Sequence, residues 1–334
     1  MISHSIILVN YKSSGLVIDC LESIYRWPVA AETEIIVVDN ASGDDSENRI
    51  RQKYPGVVWI SMPGNMGFAR GNNAGIRAAK GNILLLLNSD TVNQDDAIAK
   101  CFRRFSQSDF IACGVQLMNP DGTPQISGNY FIKGGLNQLM ALPYTGRLLR
   151  WLGILFKVKK THAPEAIGNV EVDWINGAFL MVKKETIEQA GLLDEDFFLY
   201  FEEIEWCSRL LKAGKMCIYG DLRVVHLQGA TTNEVFQSKG QGYYNLYDRK
   251  GLQIMVSSLL RIRKQYGIGW YLFHLMAYLI TIPVFFVAGL IRLPFERKKQ
   301  QAIKMFSGYV GNCWRLLALS GKMIRNRPWF YKMV

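Results

Sequence analysis

The sequence has few of the residues that build small metal-bound or disulfide-linked domains. Its 334 residues include six cysteines and four histidines, and no two cysteines stand in a C-x-x-C spacing. We therefore expect neither a zinc site nor a disulfide framework, and four cysteines lie in apolar stretches typical of reduced core thiols. The first residues lack the basic segment and cleavage site of a secretory signal, so a cytosolic location is predicted.

Acidic residues are almost missing from the last part of the chain. Residues 241–334 contain 2 acidic and 15 basic residues, whereas residues 1–240 contain 26 acidic and 24 basic ones. The basic part also holds the longest apolar stretch, Trp270 to Ile291. Nucleic-acid-binding proteins spread arginine and lysine over polar helices and loops, so this pattern favours a membrane surface and no nucleic acid.

The apolar stretch from Trp270 to Ile291 is 22 residues long, which is enough to cross a bilayer as one helix. Pro283 within it and basic residues on both flanks fit equally well with a bent helix lying in the cytosolic leaflet. A core helix within a helical appendage is a third possibility. We place a domain boundary near residue 240, where the charge balance changes and helical segments begin.

Apolar runs alternate with helical patterns over the first hundred residues. Four runs are uninterrupted and rich in aliphatic residues, as in strands buried on both faces: residues 5–10, 34–39, 57–60 and 83–88. Helical patterns at residues 16–26 and 68–80 lie between them. Such βαβ units build a parallel sheet, so the fold class is α/β. Beyond residue 120 the less regular pattern predicts one strand and two helices, at residues 178–183, 185–190 and 202–213.

Polar residues follow three of the predicted strands: Asn10-Tyr11-Lys12, Asp39-Asn40-Ala41-Ser42 and Asn88-Ser89-Asp90. One such group alone is typical of a helix cap or a turn. Three of them at the carboxyl ends of parallel strands predict a ligand site. A segment rich in glycine and asparagine, residues 64–75, contains Arg70, which can face a phosphate, although the segment matches no Walker or G-x-G-x-x-G pattern.

Seven motifs, in order along residues 4–240, resemble the signatures of family 2 glycosyltransferases. They are Asn10-Tyr11-Lys12, Val38 to Asp44, Asn65 to Gly75, Leu87-Asn88-Ser89-Asp90, Trp174 to Ala178, Phe197 to Cys207 and Val225 to Gly229. The pattern is most similar to the rhamnosyltransferase-type branch that builds bacterial cell-surface polysaccharide. The resemblance implies a GT-A fold with a mainly parallel central sheet and a basic, apolar C-terminal helical segment.

The resemblance also implies a division of the chain into regions. Residues 1–240 would form the catalytic domain, with a nucleotide-sugar half at 1–120 and an acceptor half at 121–240. Residues 241–334 would form a helical, membrane-associating region.

The resemblance assigns a donor site. Asp39 would accept a hydrogen bond from the nucleotide base, and the whole donor-binding set is Asn10, Tyr11, Asp39, Asn40, Asn65, Gly67, Arg70, Asn73, Asn88, Ser89 and Asp90. Asp90 ends the family's D-x-D motif, which here begins with an asparagine. With His226 it would bind Mg²⁺ or Mn²⁺, and the missing carboxylate predicts that the metal binds with the nucleotide. By its sequence context alone, His226 also fits a core histidine.

The resemblance places the general base at Glu203, where the family usually has aspartate, with Glu202 as the runner-up. Both residues also fit an ordinary helix start, because acidic side chains interact favourably with the helix dipole there. Four residues are expected to form the floor of the acceptor site: Trp174, Asn176, Gly177 and Ala178.

These assignments predict an inverting glycosyltransferase on the cytoplasmic side of the bacterial inner membrane, peripheral or single-span. It would move a sugar, by best assignment L-rhamnose from dTDP-L-rhamnose, onto a glycan or polyprenyl-diphosphate-linked precursor. A UDP-hexose-dependent transferase and a non-catalytic sugar-binding assembly subunit are the alternatives. A nucleotidyltransferase is a further one, against which the lack of a Gly-x-Gly-Thr-Arg loop near the first strand counts.

Overall fold

A computed structural model describes the chain except residues 1, 29, 156–164, 228–235, 237, 239–241, 297 and 334. The chain divides into two compact units. The first comprises Met1–Tyr130, His162–Phe198 and Glu202–Thr231, and the second comprises Phe131–Thr161, Leu199–Phe201 and Thr232–Val334. The boundary predicted near residue 240 lies outside the described residues and stays a prediction, as does any role for residues 228 and 229 of the last motif.

Eleven strands lie in the described part of the first unit. They are β1 His4–Asn10, β2 Thr33–Asp39, β3 Val58–Ser61, β4 Ile83–Leu87, β5 Thr91–Asn93, β6 Ala112–Met118, β7 Gly128–Asn129, β8 Asn169–Val172, β9 Trp174–Ile175, β10 Phe179–Lys183 and β11 Met216–His226. Strands β7 and β9 pair with each other, and the other strands form one sheet in the order β3-β2-β1-β4-β10-β6-β11-β5, with β8 on β11.

The sheet is mainly parallel, as expected. Strands β1 to β4 run parallel, and β6 is parallel to β11. Strand β10 lies antiparallel between β4 and β6, so β6 and β11 keep the direction of the first four strands. This insertion joins residues from the second half of the sequence to strands of the first half, and it brings the end of β4 next to the start of β10.

Helices of the first unit cover this sheet. With α-helices numbered in chain order over both units, they are α1 Ser14–Tyr25, α2 Ser46–Lys53, α3 Gly67–Ala78, α4 Ala97–Ser106, α6 Lys184–Ala190 and α7 Glu202–Leu210. The inner strands carry aliphatic residues on both faces, and those of β2 and β4 are almost completely buried. All strands and helices predicted from the sequence are confirmed, with ends that differ by at most three residues.

The second unit is helical. Its α-helices are α5 Thr145–Leu155, α8 Arg249–Tyr266, α9 Ile268–Arg292 and α10 Lys299–Arg325, and short 3-10 helices occur at Lys133–Ala141, Gly242–Tyr244 and Leu293–Phe295. Helix α8 is the most buried of the four, because α9 and α10 both pack against it. The predicted helical character of the C-terminal region is confirmed.

Helix α9 is the one described helix that is long and apolar enough to cross a membrane. One of its faces is buried in the unit and carries polar groups: His274 Nε2 lies 2.8 Å from the Gly134 carbonyl oxygen, and Thr281 Oγ1 lies 2.9 Å from Thr145 Oγ1. Its opposite face is apolar and exposed, with Ile280 56% and Ile291 67% accessible. The helix therefore has one buried face that carries a few polar groups and one exposed face that is apolar.

Candidate active site

The carboxyl ends of β1 and β2 lie side by side, with Asn10 opposite Asp39. Asn10 Nδ2 donates a hydrogen bond to Asp39 Oδ1 at 2.8 Å, and Ser42 Oγ donates to the same oxygen at 2.5 Å. The backbone N–H of Ser42 donates to Asp39 Oδ2 at 3.1 Å. These bonds fix the orientation of the Asp39 carboxylate, which is half-buried, as is Tyr11 beside fully buried Asn10. Ser42 was not assigned to the site, although the Asp-x-x-Ser spacing is typical of such a turn.

Asn40 is buried and organises the loop that leads into α3. Its Oδ1 accepts a hydrogen bond from the Met66 N–H at 2.8 Å, and its Nδ2 donates to the Gly67 carbonyl at 3.0 Å. The same Nδ2 donates to Asn65 Oδ1 at 3.2 Å, and Asn65 Oδ1 also accepts from the Gly67 N–H. The predicted donor-binding residues Asn40, Asn65 and Gly67 are thus brought together, and these hydrogen bonds hold the loop itself.

Gly67 lies against the backbone of Phe198. Its φ is +79°, in the left-handed region, and a Cβ atom there would lie 2.1 Å from the Phe198 carbonyl oxygen. The same oxygen accepts a hydrogen bond from the Phe68 N–H at 2.8 Å. Only glycine satisfies both constraints, so the start of α3 and the segment before α7 approach as closely as two backbones can.

Asn73 and Arg70 attach α3 to the same segment. Fully buried Asn73 donates from Nδ2 to the Leu193 carbonyl at 2.9 Å and accepts from the Leu193 N–H at 3.1 Å, as a paired strand would. Arg70 Nε donates to the Glu195 carbonyl at 3.0 Å. These side chains position the chain that leads to the candidate base, while contact of Arg70 with a phosphate stays a prediction.

The turn between β4 and β5 meets the end of β11. Buried Asp90 and His226 face each other, with Asp90 Oδ1 3.3 Å from His226 Nε2, and Asn88 Nδ2 lies 3.4 Å from the same nitrogen. Ser89 lies half-buried between the two turn residues. The structure therefore brings Asn88, Asp90 and His226 together, although Asn88 and His226 are 138 residues apart in the chain.

Gln125 fixes the histidine ring and was not predicted. Gln125 Nε2 donates to the His226 carbonyl and to Asn119 Oδ1, both at 2.7 Å, so its Oε1 faces His226 Nδ1 at 2.9 Å as an acceptor. His226 Nδ1 therefore donates to this oxygen, and Nε2 is the ring nitrogen that faces Asp90. No sequence signal links Gln125 to a histidine 101 residues away.

The two adjacent carboxylates at the start of α7 have different surroundings. Glu202 is 3% exposed, and no hydrogen-bond partner is found for its Oε2 within the described residues. Burial raises the pKa of the Glu202 carboxyl well above its usual range, and the neighbouring Glu203 carboxylate raises it further. Glu203 is half-buried instead. Its Cβ and Cγ lie next to Gly177, since a Cβ atom added to that glycine would be 3.4 Å from each.

The predicted acceptor residues lie around β9 and the start of β10. Trp174 is half-buried in β9, opposite Asn129. Asn176 fixes the turn that follows, since its Nδ2 donates to the Ile126 carbonyl and its Oδ1 accepts from the Ala178 N–H. The Ala178 carbonyl accepts from the Asn88 N–H at 3.0 Å. This bond ties the turn at residues 176–178 to the corner formed by Asn88, Asp90 and His226.

Residues 5–167 match the family model described as glycosyl transferase family 2. The chain contains a family 2 glycosyltransferase domain. It is 30% identical over 211 residues to the low-salt glycan biosynthesis hexosyltransferase Agl10 of Haloferax volcanii. This alignment covers 61% of this chain and 60% of the relative. It is 24% identical over 203 residues to the N-acetylglucosaminyl-diphospho-decaprenol L-rhamnosyltransferase of Mycobacterium tuberculosis, covering 55% of this chain and 63% of the relative.

The chain thus spans about three fifths of the length of these two relatives. A solved structure supports the fold of the family 2 domain. The crystal structure of GalNAc-T7 with UDP, GalNAc and Mn²⁺ matches with a TM-score of 0.50 at 15% identity, over 68% of this chain and 43% of that one. The fold is GT-A, as the motifs implied.

The contact between Gly67 and Phe198 gives a stability prediction for the family 2 domain. Gly67→Ala should lower the free energy of unfolding by about 3 kcal/mol or more, because the substitution adds backbone strain and a clash with a carbonyl oxygen. Urea denaturation followed by circular dichroism measures this change. Gly64→Ala is the control, since the nearest atom to its new Cβ would be Met66 Sδ at 3.9 Å. Equal stability of the two variants would contradict the prediction.

The raised pKa of Glu202 gives a pH prediction. A carboxyl with a raised folded-state pKa contributes stability at low pH and loses it as pH rises, so Glu202→Gln should become more stable than the wild type above about pH 4.3. The gap should widen by up to about 1.4 kcal/mol per pH unit until the raised pKa is reached. Melting temperatures between pH 5 and pH 9 measure it, with exposed Glu188→Gln as the control. A gap that does not change with pH would refute the assignment.

Proposed function

We propose that this chain is a metal-dependent inverting glycosyltransferase that moves a sugar from a nucleotide-diphospho-sugar to an acceptor hydroxyl. The observation that carries the proposal is the presence, in one unit, of the three groups that this reaction needs. They are an oriented carboxylate at the end of β2, an Asp90–His226 pair 3.3 Å apart, and a half-buried carboxylate at the start of α7. The family 2 domain supports the reaction class.

Glu203 acts as the general base in this proposal. Its carboxylate takes the proton of the acceptor hydroxyl, whose oxygen forms the new bond to the anomeric carbon. The bond between that carbon and the diphosphate breaks on the opposite face, and the configuration inverts. Glu202 suits this role less well, because its carboxyl is buried and burial raises its pKa, which favours the protonated form.

Asp90 and His226 fit a divalent cation. Asp90 Oδ1 and His226 Nε2 lie 3.3 Å apart, which is the spacing of neighbouring ligands around one ion, and Gln125 holds the ring with Nε2 toward Asp90. The described residues contain no cluster of three or more His, Cys, Asp or Glu side chains able to hold a metal. Donor phosphate oxygens would therefore complete the site. Bound Mg²⁺ or Mn²⁺ would stabilise the charge of the leaving diphosphate.

L-rhamnose from dTDP-L-rhamnose is the donor that we propose, with a UDP-hexose as the second candidate. The motif pattern and the name of the Mycobacterium tuberculosis relative favour rhamnose, whereas the Haloferax volcanii relative is named a hexosyltransferase. The acceptor is a polyprenyl-diphosphate-linked sugar or a glycan precursor of a bacterial envelope. The exposed apolar face of α9 supports contact with a membrane, peripheral or single-span, and the chain acts on the cytosolic side of the inner membrane in this proposal.

A panel of donors tests reaction and metal together. Nucleotide release from dTDP- and UDP-sugars, with Mn²⁺, Mg²⁺ or a chelator, should occur with one donor and require the metal. Asp90→Ala should lower the rate by about 100-fold or more, because the charge of the leaving diphosphate loses its stabilisation. Asp109→Ala, at an exposed position, is the control. If no donor is cleaved, even with membrane lipid extract as acceptor, the non-catalytic sugar-binding alternative is correct.

The assignment of the base is tested by two isosteric variants of neighbouring residues. Glu203→Gln should lower kcat by about 100- to 10,000-fold while donor binding is kept, because a general base contributes a factor of that size. Glu202→Gln should retain most of the activity, since the amide resembles the protonated carboxyl that we infer. Transfer kinetics and donor binding by calorimetry measure both effects. The opposite result, with Glu202→Gln inactive and Glu203→Gln active, would move the base to Glu202.

A further inference from the structure

A cavity of about 910 Å³ opens within the helical unit, and no part of the proposed reaction uses it. The 3-10 helix at Lys133–Ala141 and helix α5 border it, together with the segment before α8, the end of α9 and the start of α10. Its walls include the aromatic side chains of Tyr144, Tyr247 and Phe285. The volume lies in the range of sites that hold small molecules or the headgroup of a larger one.

The charged residues of the cavity are mostly basic. It is lined by five cations, Arg147, Arg150, Arg292, Lys298 and Lys304, and by two carboxylates, Asp248 and Glu296. Within the described part of the chain, none of the five cations forms an ion pair. A concentration of cations without acidic partners attracts an anion, and arginine binds phosphate oxygens through paired hydrogen bonds.

The two carboxylates, Asp248 and Glu296, do not cancel the attraction of the five cations for an anion. Asp248 caps α8, since its Oδ1 accepts from the Gly251 N–H at 2.9 Å. Its Oδ2 accepts from Asn245 Nδ2 and Ser238 Oγ, each at 2.7 Å. Its oxygens are therefore already bonded within the unit. Glu296 is exposed, in the loop before α10, where solvent screens its charge.

The helices that supply the arginines also carry exposed apolar side chains. Helix α5 contributes Arg147 and Arg150 to the cavity and exposes Trp151 and Ile154, which are 58% and 73% accessible. Helix α9 contributes Phe285 and Arg292, and the exposed residues of its outer face include Leu272, Met276, Ile280, Val287 and Ile291. Apolar faces next to cations are what a surface in contact with the headgroups and acyl chains of a membrane requires.

We propose that this cavity binds the diphosphate of a polyprenyl diphosphate while the outer face of α9 lies in the leaflet. The arginines and lysines hold the phosphate oxygens, and the aromatic wall contacts the first isoprene units. The inference rests on the proposed function, in which such a lipid carries the acceptor sugar. It adds a lipid site built from residues of the helical unit that have no part in the proposed chemistry.

Flotation of the whole chain with vesicles tests the site. Three vesicle compositions are compared: phosphatidylcholine alone, phosphatidylcholine with undecaprenyl diphosphate, and phosphatidylcholine with phosphatidylglycerol at equal surface charge. The wild type should bind the undecaprenyl diphosphate vesicles most tightly. Arg147→Gln/Arg292→Gln should weaken that binding at least about tenfold, which is the effect of losing charged hydrogen bonds. Arg315→Gln/Arg325→Gln removes the same charge from exposed positions outside the cavity and should change it less than about twofold.

Three results would overturn the site: equal losses in the two double variants, equal binding to phosphatidylglycerol vesicles, or release of the protein from vesicles by free pyrophosphate at equal phosphate concentration. The first two would indicate general charge attraction, and the third would indicate a soluble ligand. Nucleotide release from the sugar donor is measured on the same preparations, so that failure of the lipid site can be told from failure of the proposed transferase activity. Release without preference for undecaprenyl diphosphate rejects the cavity site alone, whereas preference without release rejects the transferase and keeps the lipid site. Circular dichroism spectra confirm that all variants are folded.

Discussion

The close approach of the Phe198 carbonyl to the start of α3 is the contact on which the candidate active site depends. Phe68 donates its N–H to this carbonyl at 2.8 Å, and Gly67 leaves no atom in the way. Asn73, also in α3, forms a pair of hydrogen bonds with the backbone of Leu193. Glu203 lies in the first turn of α7, five residues after Phe198. These contacts therefore set the position of the candidate base relative to the donor side of the domain.

Features that depend on neighbouring residues were predictable from the sequence. Strands that are buried on both faces consist of uninterrupted aliphatic runs, so β1, β2 and β4 could be predicted from such runs in the sequence. The contact between Asn10 and Asp39 follows from the same reasoning, because two adjacent parallel strands bring their carboxyl ends together. The expectation that Asp90 and His226 bind one metal came from the family resemblance and not from local pattern, since β11 itself was not predicted as a strand.

Features that depend on hydrogen-bond geometry were not predictable. The polar side chains of Asn40 and Asn73 suggest ligand contacts, yet these amides form hydrogen bonds within the domain, where they close loops and attach α3. Gln125 has no signal of its own, because its role depends on a turn that returns it to His226. The cavity of the helical unit is formed by residues that are separated by more than 150 positions, so no local pattern reveals it.

The two carboxylates at the start of α7 show how burial can divide roles between neighbours of equal chemistry. A second ionised group next to the base would repel its charge, and burial of Glu202 removes this problem by favouring the protonated form. Glu203 keeps its exposure, and its extra methylene relative to aspartate needs room. Residue 177 does not crowd this side chain, since even a Cβ atom there would lie 3.4 Å from Glu203 Cγ, an ordinary van der Waals distance. The longer base is therefore accommodated beside Gly177.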